Sequence, residues 1–284
     1  MSNQAQPIQT MSQQEADDLI AGMDWQTVSY GLGINQNLID QLVADNFATT
    51  LERIARVKPI LGSRAEWDAL CHKYVADHFI QFLGTHLVVG ENEEIVRATS
   101  GYDDPNNYKQ ASSILAPQML GVAGFTIDQA IRRSAVTDGN EAACKDFQDL
   151  LAASPVTSRE AESAAEAMAF YLSGKSTQAV RLLAPSVEAA LRMRLTRAGV
   201  DVRRMPIGQS PGGVMTLGPV INGLNGIIAD TWHFHFEAIV GKPDLLNLRN
   251  KSAHGLTAKF SDGDAALLIQ ALVWLACRSE TPSP

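Results

Sequence analysis

Arg249, Asn250 and His254 fall within one six-residue segment, Arg249-Asn-Lys-Ser-Ala-His254. On a helix, successive residues turn by about 100°. Asn250 and His254 then share a face, and the longer Arg249 side chain must swing to join them. A guanidinium fork, an amide and an imidazole suit a phosphodiester. Arginine binds the oxygens bidentately, histidine moves a proton near neutral pH, and asparagine orients either one. No acidic pair for a divalent ion accompanies them, so chemistry at this set would be metal-independent and would need no cofactor. The ordinary alternative is an arginine paired with a carboxylate and a histidine satisfying the last helical carbonyls.

Three other groups could carry chemistry. His233, His235 and Glu237 alternate along Trp232-His-Phe-His-Phe-Glu237. On a strand they would share a face and could hold a metal; on a helix they spread apart. The favoured reading is a pair of partly buried histidines beside aromatic packing. Gly208-Gln-Ser210-Pro-Gly212 matches a nucleophile-elbow pattern, but its flanks suit neither the strand nor the helix that this chemistry requires. Arg192, Arg194, Arg197, Arg203 and Arg204 form the basic cluster. They fit either a solvated helix end or a track for a phosphate backbone. Asp68 and His72, four residues apart, and His78 and His86 beyond them read as structural.

The elements that must position these groups are helical almost throughout. Apolar residues recur at three- and four-residue steps over 35–57 and over 63–89. A polar loop is expected over 90–109, then shorter helices around 110–121, 126–135 and 139–153. Ser12-Gln-Gln-Glu15 and Thr157-Ser-Arg-Glu160 read as capping boxes. Helices are expected up to Ser173 and over 176–198, where Pro185 must kink the helix or open a new one. Six glycines and three prolines make 200–226 a long irregular connection. A short apolar element follows at 232–240. The next helix ends at Gly255, and a last one runs over about 262–278.

Composition narrows the class. The 284 residues are 45% hydrophobic and 19% charged, enough for a substantial core. Aromatics at 6% argue against an all-β domain. Three scattered cysteines, Cys71, Cys144 and Cys277, exclude a disulfide framework and a CxxC zinc site and suit a reducing cytoplasm. The most apolar stretch, 265–277, is shorter than the ~18–20 residues of a membrane span. No secretory signal pattern opens the chain, so a cytoplasmic protein without membrane contact is expected. Residues 1–150 hold 10 Lys/Arg against 20 Asp/Glu, and residues 151–284 hold 13 against 11. The acidic balance speaks against a general nucleic-acid coat protein, but the C-terminal part does not exclude a polyanion ligand.

Leu248-Arg-Asn-Lys-Ser-Ala-His-Gly255 resembles the R-x4–6-H signature of the HEPN superfamily (higher eukaryotes and prokaryotes nucleotide-binding domain). Its form Leu-Arg-Asn-x-x-Ala-His-Gly is similar to a HEPN-like C-terminal domain of bacterial proteins. The helix around Ser186-Val-Glu188-Ala-Ala-Leu-Arg192, then Gly199 and Thr216-Leu-Gly218, is similar to the lead-in of that domain. The resemblance spans roughly 155–278 and implies an all-α chain. An N-terminal helical domain over 1–153 would precede a HEPN-like bundle over 154–284. It also implies a metal-independent endoribonuclease of toxin, defence or RNA-processing systems. Such enzymes work as homodimers in which two motif helices form one cleft. Arg249 would bind the phosphate, His254 would transfer the proton and Asn250 would orient, with Glu188 supporting. Arg192, Arg194, Arg197, Arg203, Arg204 and Lys251 would contact RNA. Attack by the ribose 2′-OH would leave a 2′,3′-cyclic phosphate and a 5′-OH. The alternative is a non-catalytic module that binds RNA or nucleotide or mediates assembly. An antitoxin or regulatory protein is a further expected partner.

Overall fold

The helical periodicity is realised as an all-α fold. The computed structural model describes residues 36–78, 85–89, 95–100, 107–204, 213–242, 245–255 and 259–278, with backbone alone at 85–89, 95–100 and 204. The box at Ser12 and the Gly208–Ser210–Gly212 pattern lie outside the described residues, as does the His86 side chain. Helices α1 (Gln36–Leu42) and α2 (Phe47–Arg56) bury Leu38, Leu42, Phe47, Leu51 and Ile54. The sequence reads them as one helix. The chain breaks instead at Asn46, whose side chain accepts from the Thr49 N–H at 2.8 Å and caps α2.

Helix α3 (Arg64–Asp77) opens on a capping box that the sequence reading passed over. Ser63 Oγ accepts from Glu66 N–H at 3.2 Å, and the Glu66 carboxylate accepts from Ser63 N–H at 2.6 Å. The Ser63 backbone bond, helped by Lys58, holds the Glu66 carboxyl below its usual range. The helix stops at His78 rather than continuing to 89. Strands β1 (Thr85–Val89) and β2 (Ile95–Ser100) form an antiparallel hairpin where a helix end and a loop were expected. Leu87-Val-Val89 fits a pleated strand as readily as an apolar helix face, and β-branched residues favour the strand.

Helix α4 (Asn107–Asp138) is one 32-residue element in place of two expected short ones. Pro117, Gly121 and Gly124 all lie inside it. Helix α5 (Asn140–Ala153) follows. Thr157 does not cap a helix as expected. Its hydroxyl donates to the Leu151 carbonyl at 2.8 Å, and a 3₁₀ turn at Ser158–Glu160 precedes α6 (Ala161–Leu172). Helix α7 (Ser176–Arg197) runs through Pro185 without interruption. Then come the two-residue strands β3 (Arg203–Arg204) and β4 (Gly213–Val214), paired as a ribbon, and α8 (Leu217–Gly223). Helix α9 (Asp230–Phe236) passes into a π turn over Glu237–Gly241. The last elements are α10 (Leu248–His254) and α11 (Asp262–Cys277).

Helix α11 organises the core. Every residue from Ala265 to Ala276 is buried, Gln270 included, as expected of a helix surrounded by others. It packs on α4 and α7, and also on α2 and α5. One hydrophobic cluster therefore runs across Ser154, the boundary read from the sequence. At the α4–α11 crossing the backbones touch. A Cβ built on Gly124 would lie 2.6 Å from the Gly263 carbonyl oxygen. Beside it, buried Asp128 accepts from Tyr171 Oη at 2.6 Å and Arg132 Nε at 2.7 Å, and Arg132 also pairs with Asp262 at 3.1 Å. Among the described residues, α4 alone is long and apolar enough to cross a bilayer by length and composition, and more than half of its apolar window is buried inside the protein.

Candidate functional site

The site is built where α10 packs on α7. Asn247 takes a left-handed conformation, φ 50°, which turns the chain into α10. Asparagine tolerates that region better than most residues. The N–H groups of Leu246 and Asn247 both donate to the Ala238 carbonyl of the π turn, at 3.0 and 3.4 Å. Leu248 is buried and anchors the first turn. Gly255, φ 64°, ends the helix as the sequence reading anticipates, and its N–H returns to the Lys251 carbonyl.

Arg249 leans onto Glu188 of α7. Its Nε donates to Glu188 Oε2 at 2.6 Å, and its Nη1 donates to Asn250 Oδ1 at 3.3 Å. Glu188 is only 5% exposed, whereas the Arg249 side chain keeps 32% of its surface. The other carboxylate oxygen, Oε1, accepts from Arg192 Nη2. Arg192 Nε in turn donates to the Met215 carbonyl at 3.0 Å, beside β4. One buried carboxylate thus holds two arginines. Charge-assisted bonds of this kind fix guanidinium geometry. His254 ends α10 on the surface, and no side-chain hydrogen bond ties it to another described residue. Arg249, Asn250 and His254 therefore lie on one short helix, with the arginine and amide joined and the imidazole free.

The basic cluster does not form a single face. Arg192 and Arg194 are two residues apart, about 200° around a helix. Arg192 turns to Glu188, while Arg194 is buried. That burial leaves little of the Arg194 side chain open for the expected contact with RNA. Burial and the neighbouring Arg197 charge push the Arg194 guanidinium below its ordinary value. Arg197 is exposed, and the Arg203 side chain is 86% exposed on the ribbon. Lys251 is half-buried on α10. Arg204 is placed by its backbone in β3.

His233, His235 and Glu237 are spread around α9 and its π turn. His233 Nε2 lies 2.9 Å from the Ile221 carbonyl, and Glu237 pairs with Arg64 and, at 3.2 Å, with Lys242. His235 is fully buried and neither ring nitrogen has a partner. It sits edge-on to Trp232, which stacks on Trp274 of α11. Among the described residues no group of three His, Cys, Asp or Glu side chains could hold a metal ion.

Burial pushes the His235 imidazole down to about 3. The unfolded chain therefore binds a proton near 6.5 that the folded protein refuses. Stability is fully present above pH 6.5 and falls as the pH drops towards 3. The loss is about 2 kcal/mol at pH 5, from ~1.4 kcal/mol per pH unit. Urea unfolding at pH 7 and pH 5 should show this gap. His235→Leu should close it while leaving the protein at least as stable at pH 7, because two unpartnered polar atoms are removed. An unchanged gap in the variant would assign the acid sensitivity to other groups.

Comparison of the chain with family models, with curated proteins and with solved structures finds no match. The HEPN resemblance therefore stands on the Leu248–Gly255 motif and its lead-in.

Proposed function

We propose that this chain is a metal-independent endoribonuclease of HEPN type, cytoplasmic and without membrane contact, with a toxin, defence or RNA-processing role. The supporting observation is the Arg249–Glu188 pair. A buried carboxylate takes only the Nε edge of a guanidinium that still reaches solvent, on the same helix as Asn250 and the exposed His254. Arg249 binds a phosphate oxygen and stabilises the charge that develops during the reaction. Asn250 steadies the guanidinium through Nη1. His254 moves the proton as the 2′-OH attacks phosphorus and the 5′ oxygen leaves. The products are a 2′,3′-cyclic phosphate and a 5′-OH. A homodimer places a second copy of α10 across the same cleft, and an antitoxin or regulatory partner governs access.

The test is a quenched fluorescent RNA and its all-deoxy twin, incubated with purified protein in EDTA. RNA alone should be cut, because DNA lacks the attacking hydroxyl. Cleavage of both substrates, or loss of cleavage on chelation, would refute the mechanism. A melting shift with RNA or nucleotide but no turnover would favour the binding module instead.

A further inference from the structure

Arg192 does not point along a phosphate track. Its guanidinium is fixed at both ends, by the Met215 carbonyl at 3.0 Å and by Glu188 Oε1. Through Glu188 it meets Arg249, whose Nη2 makes no bond to any described residue. The cluster therefore contains two guanidinium groups and one carboxylate, with Glu188 only 5% exposed. Its net charge is +1. Removal of Arg192 changes both charge and geometry. Glu188 and Arg249 become a neutral pair. The carboxylate, freed at Oε1, can rotate to take Nε and Nη2 of Arg249 together, because these two nitrogens lie on one edge of the guanidinium and bidentate pairing is preferred.

We propose that Arg192 is a positioning residue of the cleavage site: by occupying Glu188 Oε1 it limits that carboxylate to a single contact with Arg249, and so keeps Nη2 and one uncompensated positive charge for a phosphate oxygen. The identity of the anion rests on the ribonuclease reading; the positioning of Arg249 does not. Met215 adjoins β4, so the ribbon of β3 and β4 is tied to the same network through Arg192.

Two measurements on the full chain test this. The first follows RNA. Arg192→Ala should slow single-turnover cleavage at saturating RNA by about 10-fold or more, since small misplacements of reacting groups cost up to about 100-fold. Arg192→Lys keeps a cation beside Glu188 and should recover part of the rate. Salt dependence of RNA binding, measured in the His254→Ala background, should have a slope smaller by about one in Arg192→Ala, because Arg249 and Glu188 then form a neutral pair, and should show no further loss when Arg192→Ala is added to Arg249→Ala. A further loss there would make Arg192 itself a phosphate contact and overturn the proposal. The second needs no activity. The Arg249 Nε–H signal in ¹⁵N spectra, assigned by its loss in Arg249→Lys, should shift in Arg192→Ala and return towards its place in Arg192→Lys. An unmoved signal overturns the proposal whether or not RNA is cut. A moved signal in a protein that cuts no RNA upholds the positioning role and refutes the ribonuclease reading alone.

Discussion

On the endoribonuclease reading, His254→Ala should lower RNA cleavage by about 100-fold or more while leaving the fold intact. The first half follows from the proposed role of His254 as the proton-transfer group, which typically contributes ~10²–10⁴-fold. The second follows from its place: it is exposed at the end of α10 and ties no other described side chain by hydrogen bonding. Truncations of that kind shift stability by no more than about 0.5 kcal/mol. Arg249→Ala should abolish cleavage to a similar degree but must also destabilise the protein. It leaves Glu188, a nearly buried carboxylate, with Arg192 as its one remaining ionic partner. Breaking a well-buried pair costs roughly 3–5 kcal/mol, and the partial exposure of Arg249 reduces that figure. Cleavage rates and urea unfolding of the two variants, measured side by side, separate chemistry from structure. Wild-type rates in His254→Ala would refute its assigned role.

The second large effect lies at the crossing of α4 and α11. Gly124→Ala places a methyl group 2.6 Å from the Gly263 carbonyl oxygen and 2.9 Å from its carbon. Both neighbours are backbone, so the two helices must separate. Overpacking of this kind costs typically ~1–3 kcal/mol, and here it also pulls on the capped start of α11 and the Asp262–Arg132 pair. Gly121→Ala, one turn earlier on α4, meets nothing within 4 Å. It should stabilise the protein by about 0.5–1 kcal/mol through helix propensity. Opposite shifts in thermal unfolding for two identical substitutions three residues apart would establish the contact. Equal shifts would refute it.

These glycines also show where the sequence was legible. The all-α class follows from apolar residues at three- and four-residue steps, and the ends of α10 and α11 follow from Gly255 and the apolar run. Gly121 and Gly124 lie inside one long helix where two shorter ones are expected. Their actual use depends on a helix that comes more than a hundred residues later, which no local pattern encodes. The β1–β2 hairpin was missed because Leu87-Val-Val89 satisfies either period. Arg249, Asn250 and His254 were legible as a set, since their spacing alone puts them on one helix. Arg194 was grouped with Arg192 by composition, although two-residue spacing already separates their faces. The sharing of Glu188 between Arg192 and Arg249 required the packing of α10 on α7, a long-range fact.

The central place of α11 has a consequence for synthesis. It follows every other described helix in sequence, yet α2, α4, α5 and α7 all bury apolar surface against it. A nascent chain without residues 262–277 therefore holds these helices with their inner faces uncovered, a form prone to association and dependent on chaperones. Helix α10 leans on α7, which in turn leans on α11. The Glu188–Arg249 pair thus gains its final support only after translation has passed residue 277. Chains that stop before α11 is made should be sticky and should lack the settled Glu188–Arg249 arrangement.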